Sequence, residues 1–181
     1  MNVSKSTQDA LMEIIKQCFI ENRVLDRFVS VLGVKFACNN MANLIHQNIA
    51  HYFPEISDQI GELCLERYNI SVEYGATPEA KEDYNSVTEM MQILEDRIID
   101  FQNMFIAVEK VAFENNDLQV FADLSKLMEG YNQISEQAIL LNDKMKYYGE
   151  DRIMAMDKDI RDSFWILTPQ PVQVVQPAQI V

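Results

Sequence analysis

Four long stretches of helical periodicity, separated by short, long and short connections, restrict the fold of this chain more than any other feature. The first runs from about Ser6 to Leu32. Leu11, Ile14, Cys18, Leu25, Phe28 and Leu32 recur in it at the spacing of one helix face. Ser6 with Asp9 resembles an N-cap, and Gly33 suits a helix end. The second starts at Asn39 or Asn40 and runs to about Tyr68, with Ile45, Ile49, Tyr52, Ile56, Ile60 and Leu63 on its apolar side. Pro54 lies inside it, where it removes a backbone hydrogen bond and either kinks the helix or breaks it near Phe53. Ser86-x-x-Glu89 is a capping box and opens the third, whose stripe passes through Leu94, Ile98 and Phe101 to Ala112. The fourth follows the ENND run, Glu114 to Asp117, and ends at Tyr148 before Gly149. A shorter fifth helix is expected from Glu150 to about Ile166. Strand alternation is almost absent, so the chain reads as all-α.

The connections then choose the topology. About six residues join the first two helices and about two join the last two, which suits antiparallel neighbours. The middle connection, roughly Asn69 to Asn85, contains Gly75 and Pro78 and lacks a helical pattern. Each long helix is on the order of 45 Å at 1.5 Å per residue. The middle connection reaches roughly 55 Å when extended, so it can run back along the whole bundle. A four-helix bundle with one long crossover is expected over residues 1–167. An up-down-up-down bundle with a loose middle loop is the alternative.

Residues 168–181, TPQPVQVVQPAQIV, differ from everything before, with three prolines, four glutamines and no charge. They are either a loosely held tail or an extended segment that docks on a neighbouring subunit through Val172, Val174, Val175 and Ile180. No run of 18 apolar residues occurs and the first residues lack an apolar signal core, so neither a membrane span nor secretion is expected. Cys18, Cys38 and Cys64 are odd in number and widely spaced, as reduced buried thiols in the cytoplasm would be. The formal charge of -13 disfavours nucleic acid, whose binding needs Lys and Arg, and is compatible with attracting cations. No nucleophile triad and no glycine-rich phosphate loop appear.

The candidate chemistry lies in the second helix. At about 100° per residue, His51, Glu55, Asp58 and Glu62 fall within roughly 60° of one another, a stripe over three turns. Imidazole with carboxylates suits iron, manganese or zinc, with iron or manganese favoured where carboxylates dominate. An acidic, solvated helix face that happens to carry a histidine has the same pattern. On a regular helix His46 sits about 140° from His51, so the two would not share a site. Carboxylates also lean toward the apolar stripes of other helices: Glu21, Glu95 and Glu136. Glu21 is the most conspicuous, and Arg97 is a partner that would explain it without metal. Gly61 and Gly130 interrupt helix interiors, as close helix contact requires.

Asp58-Gln-Ile-Gly-Glu62, followed by Glu66-Arg67 and by Gly75-Ala-Thr-Pro78, resembles the DNA-protecting mini-ferritins of the ferritin-like superfamily. The resemblance covers roughly residues 6–166. It implies a ferritin-like four-helix bundle with a short fifth helix. It also implies a homo-oligomer, from a dimer up to a hollow shell, that binds ferrous iron, oxidises it and stores it. Asp58 and Glu62 would be the carboxylate ligands, shared across a dimer, and His51 or His46 would take the histidine role. The chain departs from the pattern in three places, the first being that the other mini-ferritin histidine, late in the first helix, has no counterpart here. Asn43 stands where a mini-ferritin histidine is expected, and the Glu-x-x-His of ferritin-like di-iron proteins is absent, because Asn43 precedes His46 and Asn48 precedes His51. A non-catalytic scaffold or interaction protein that kept the bundle and lost the metal is the alternative reading.

Overall fold

Ser4, not Ser6, starts the first helix: its hydroxyl accepts from Thr7 N at 3.3 Å. The computed structural model describes residues 2–162, and the tail expected at 168–181 lies outside the described residues. Helix α1 spans Lys5–Val34. The second segment is interrupted: α2 (Asn39–Ile45), a π-helical turn (His46–Ala50), α3 (Tyr52–Leu63) and a second π turn (Cys64–Tyr68) follow one another. Asn69 ends it in the left-handed conformation, φ 55°. Helix α4 spans Val87–Glu114 and α5 spans Leu118–Tyr148. The short helix α6 (Ile153–Asp162) follows a 3-10 turn over Glu150–Arg152, and the rest of the expected fifth helix lies outside the described residues.

The capping box forms, with Glu89 N donating to Ser86 Oγ at 3.0 Å and Asn85 N donating back to Glu89 Oε2 at 2.7 Å. Gly149 stops α5 with φ 73°. The crossover climbs α1: Glu73 meets Met12, Tyr74 packs edge-on against Phe19, Arg27 Nε donates to Glu82 O at 3.0 Å, and Lys35 pairs with Asp83 at 3.1 Å. Residues at positions 12 to 35 are thus met in chain order, so the connection travels the length of the bundle. That is the ferritin-like arrangement, with α1 antiparallel to both α3 and α4 and α5 antiparallel to α3.

Three helix N-termini are closed by carboxylates from distant segments. Asp117 accepts from Ser4 N and Oγ at the start of α1. Asp157 of α6 accepts from Met41 N at 2.8 Å at the start of α2. Glu150 accepts from Val87 N and Thr88 N at 3.0 Å at the start of α4. Each satisfies orphan N–H groups and places negative charge at a positive helix end. In the middle, Phe53, Phe101 and Tyr131 pack ring on ring, with centroids 4.9 to 6.3 Å apart. No helix among the described residues is long and apolar enough to cross a membrane.

Candidate metal-binding face

Pro54 organises the site. Its missing N–H leaves the carbonyl four residues earlier, Ala50 O, without its helical donor, and its ring crowds that carbonyl. The π turn over His46–Ala50 answers the crowding by inserting an extra residue just before the proline. Ala50 is fully buried, so its orphaned oxygen needs a donor. Asn22 on α1 supplies it, donating from Nδ2 at 3.1 Å.

The extra residue changes the phase of the helix. His51 N donates to His46 O at 3.2 Å, a bond spanning five residues instead of four. The two imidazoles, expected about 140° apart on a regular helix, lie with ring centroids 4.2 Å apart. The expected separation of the two rings is therefore corrected: they are neighbours. His46 Nε2 also lies 3.6 Å from Asp26 Oδ1 on α1, and Gln47 Nε2 lies 3.2 Å from His46 Nδ1.

Beyond the turn, His51, Glu55, Asp58 and Glu62 are all exposed on the outer side of α3, as the helical spacing predicts. His51, Glu55 and Glu62 border two grooves against α5. His51 and Glu55 reach a small one of about 160 Å³, floored where Tyr52 crosses Gly130. Glu62 and Glu66 reach a larger one of about 300 Å³ beside Arg67, Asp123 and Lys126. A Cβ at Gly130 would stand 2.5 Å from Tyr52 Oη, so the glycine permits the close helix contact its position implied. Burial, then Glu55, pushes the Tyr52 phenol up to about 12. Among the described residues no three His, Cys, Asp or Glu side chains form a ready metal cluster.

The bundle centre is a different environment. Ferritin-like di-iron centres take inward Glu residues and Glu-x-x-His motifs from the four helices. Here α1 contributes Glu21, 5% exposed, and Arg97 of α4 holds it with Nε to Oε2 at 2.9 Å and Nη2 to Oε1 at 3.0 Å. Gln17 Nε2 donates a third bond at 2.7 Å. The arginine partner foreseen for Glu21 is present. Phe53, Phe101 and Tyr131 fill the adjoining space, and both histidines of the chain lie on the second helical segment near its surface. These residues do not fit a di-iron centre. Glu136 is exposed, contrary to its expected inward lean, and Glu95 accepts from Asn142 Nδ2, whose side chain is fully buried.

The remaining polar groups are structural. Asp123 accepts from Arg67 at 2.8 Å and from Tyr68 Oη at 2.9 Å, joining the end of the second segment to α5. Burial pushes its carboxyl up, but bonds from Gln119, Tyr68 and Arg67 outweigh this and hold it below the usual range. All three cysteines are free and buried. Burial pushes the Cys64 thiol up to about 11 and Cys38 to about 12, which makes them unreactive.

Asn22 and Asp26 escaped the sequence reading, and Glu66, noted there only beside Arg67, was not counted in the acidic stripe. Pro54 was the available signal for Asn22, because a helical proline announces an orphan carbonyl four residues back. Glu66 continues the stripe one turn beyond Glu62. Nothing local marks Asp26.

The fold has solved counterparts. A humanized archaeal ferritin superposes with a TM-score of 0.81 at 12% identity, covering 93% of this chain and 99% of that one. An Archaeoglobus fulgidus ferritin engineered into a closed form gives 0.81 at 13%, over 93% and 99%. The open-pore ferritin of Archaeoglobus fulgidus gives 0.81 at 14%, over 93% and 98%. No protein-family profile and no curated protein matches the chain. The chain therefore has the ferritin fold, a four-helix bundle with one long crossover and a short fifth helix.

Proposed function

We propose that this chain is a subunit of a cytoplasmic, ferritin-like homo-oligomer that takes up ferrous iron as its substrate on the outer face of α3. The observation that carries the reading is the uninterrupted exposed stripe His51, Glu55, Asp58, Glu62 on a bundle of ferritin topology. Asp58 and Glu62 are the carboxylate ligands, Glu55 a further one, and His51 or His46 the imidazole donor. A neighbouring subunit completes the site, in keeping with the resemblance to mini-ferritins, since one chain offers no three-ligand cluster among its described residues. Such a ligand set leaves positions for O₂ or peroxide, so bound Fe²⁺ can be oxidised and stored. The net charge of -13 favours accumulation of cations.

Fe²⁺ titration and oxidation by the assembled protein test this. Saturable binding and oxidation, both lost in Asp58→Ala/Glu62→Ala, are the expected outcome. Equal behaviour of wild type and variant refutes it. A second reading, a scaffold without metal, is favoured by the aromatic and ion-paired bundle centre. It predicts an intact oligomer that binds no Fe²⁺.

A further inference from the structure

The geometry points to a two-imidazole site for a borderline divalent cation such as Zn²⁺, built by His46 and His51 on the π turn. It shares an imidazole with the iron reading but stands without it, because its observations use neither Asp58 nor Glu62. The extra residue of the turn brings the rings to 4.2 Å between centroids, with planes tilted by 58°. His51 is exposed and His46 is half-buried, so solvent and ions reach both.

The contacts around His46 agree on one tautomer. Asp26 Oδ1, 3.6 Å from Nε2, favours the proton on Nε2. Gln47, whose Nε2 lies 3.2 Å from Nδ1, then donates to a free lone pair there. A carboxylate behind one imidazole nitrogen and a lone pair on the other is the arrangement that fixes the tautomer and ring orientation of a metal-binding histidine. The Gln47 amide is exposed, so a cation displaces it at little cost. Imidazole pairs select Zn²⁺, Ni²⁺ or Cu²⁺ over hard cations. Among the described residues no third His, Cys, Asp or Glu completes a ready cluster, so solvent fills the other positions and Asp26 acts behind the ligand.

Calorimetric titration of the chelator-treated full chain with Zn²⁺ tests the site. One Zn²⁺ per chain is expected, with affinity lost in His46→Gln and in His51→Gln. Asp26→Asn weakens it by about 10–100-fold, as loss of an orienting carboxylate does. Asp58→Asn leaves Zn²⁺ binding unchanged even where it abolishes Fe²⁺ oxidation, which distinguishes the imidazole pair from the carboxylate-dependent iron chemistry. Absence of saturable Zn²⁺ binding overturns the inference. So does binding that survives both histidine replacements, or binding that falls with Asp58→Asn.

Discussion

Removing Arg97 should destabilise the bundle by about 3 kcal/mol, and removing Glu21 with it should restore most of the loss. Glu21 is 5% exposed and receives three hydrogen bonds, two of them from Arg97. Deleting one partner of a buried ion pair costs ~3–5 kcal/mol, mainly because the other charge is left buried and unpaired. Gln17 still donates to the carboxylate in Arg97→Leu, and the Arg97 side chain is 31% exposed, so water enters its place. Both facts put the cost at the low end. Glu21→Leu leaves only a guanidinium that reaches solvent, for about 1–2 kcal/mol. The double replacement removes both charges and should lie within about 1 kcal/mol of wild type. A chain of this size loses about 2–4 °C of Tm per kcal/mol, so Arg97→Leu should melt about 6–12 °C lower. Thermal unfolding followed by circular dichroism, at one protein concentration, reads all three variants. An Arg97→Leu protein as stable as wild type refutes the reasoning. So does a double variant as unstable as the sum of the singles.

Asn22→Leu should cost about 1–3 kcal/mol by leaving the buried Ala50 carbonyl without a donor. Pro54→Ala should recover part of that in urea unfolding, because it returns the missing N–H. Gly130→Ala forces Tyr52 away from a Cβ 2.5 Å distant. It should be neutral or destabilising, up to about 2 kcal/mol, whereas in a Tyr52→Phe background it should gain up to about 1 kcal/mol of helix propensity. Acid should loosen the helix ends. Burial pushes Asp117 and Glu150 up, but the Thr7 and Ser4 bonds to Asp117 and the Thr88 and Val87 bonds to Glu150 prevail and hold both carboxyls low. A lowered folded value gives stability that is present above the unfolded carboxylate range, about pH 4, and is lost as pH falls through the folded value. Urea midpoints at neutral pH and below pH 4 should therefore diverge, and Asp117→Asn should flatten the difference.

The helices, the capping box, the crossover and the Glu21–Arg97 pair were legible because each rests on a local signal or on length. Periodicity marks the faces, Ser86 and Gly149 mark ends, and 17 residues between Asn69 and Asn85 are enough to span the bundle. The relation of His46 to His51 was misread because a regular helix was assumed through Pro54. One inserted residue turned a 140° separation into a ring contact. The distant carboxylate caps could not be read at all. Asp117, Asp157 and Glu150 meet N-termini that only the folded topology brings near. Exposure of the acidic stripe followed from its phase on the helix.

Anomalous diffraction at the iron edge, on crystals of the assembled protein grown with Fe²⁺, tests the central claim most directly. Iron peaks beside Asp58 and Glu62 on the outer face of α3, with none beside Glu21, are the predicted result. A peak inside the bundle between Glu21, Phe53 and Tyr131 would contradict it.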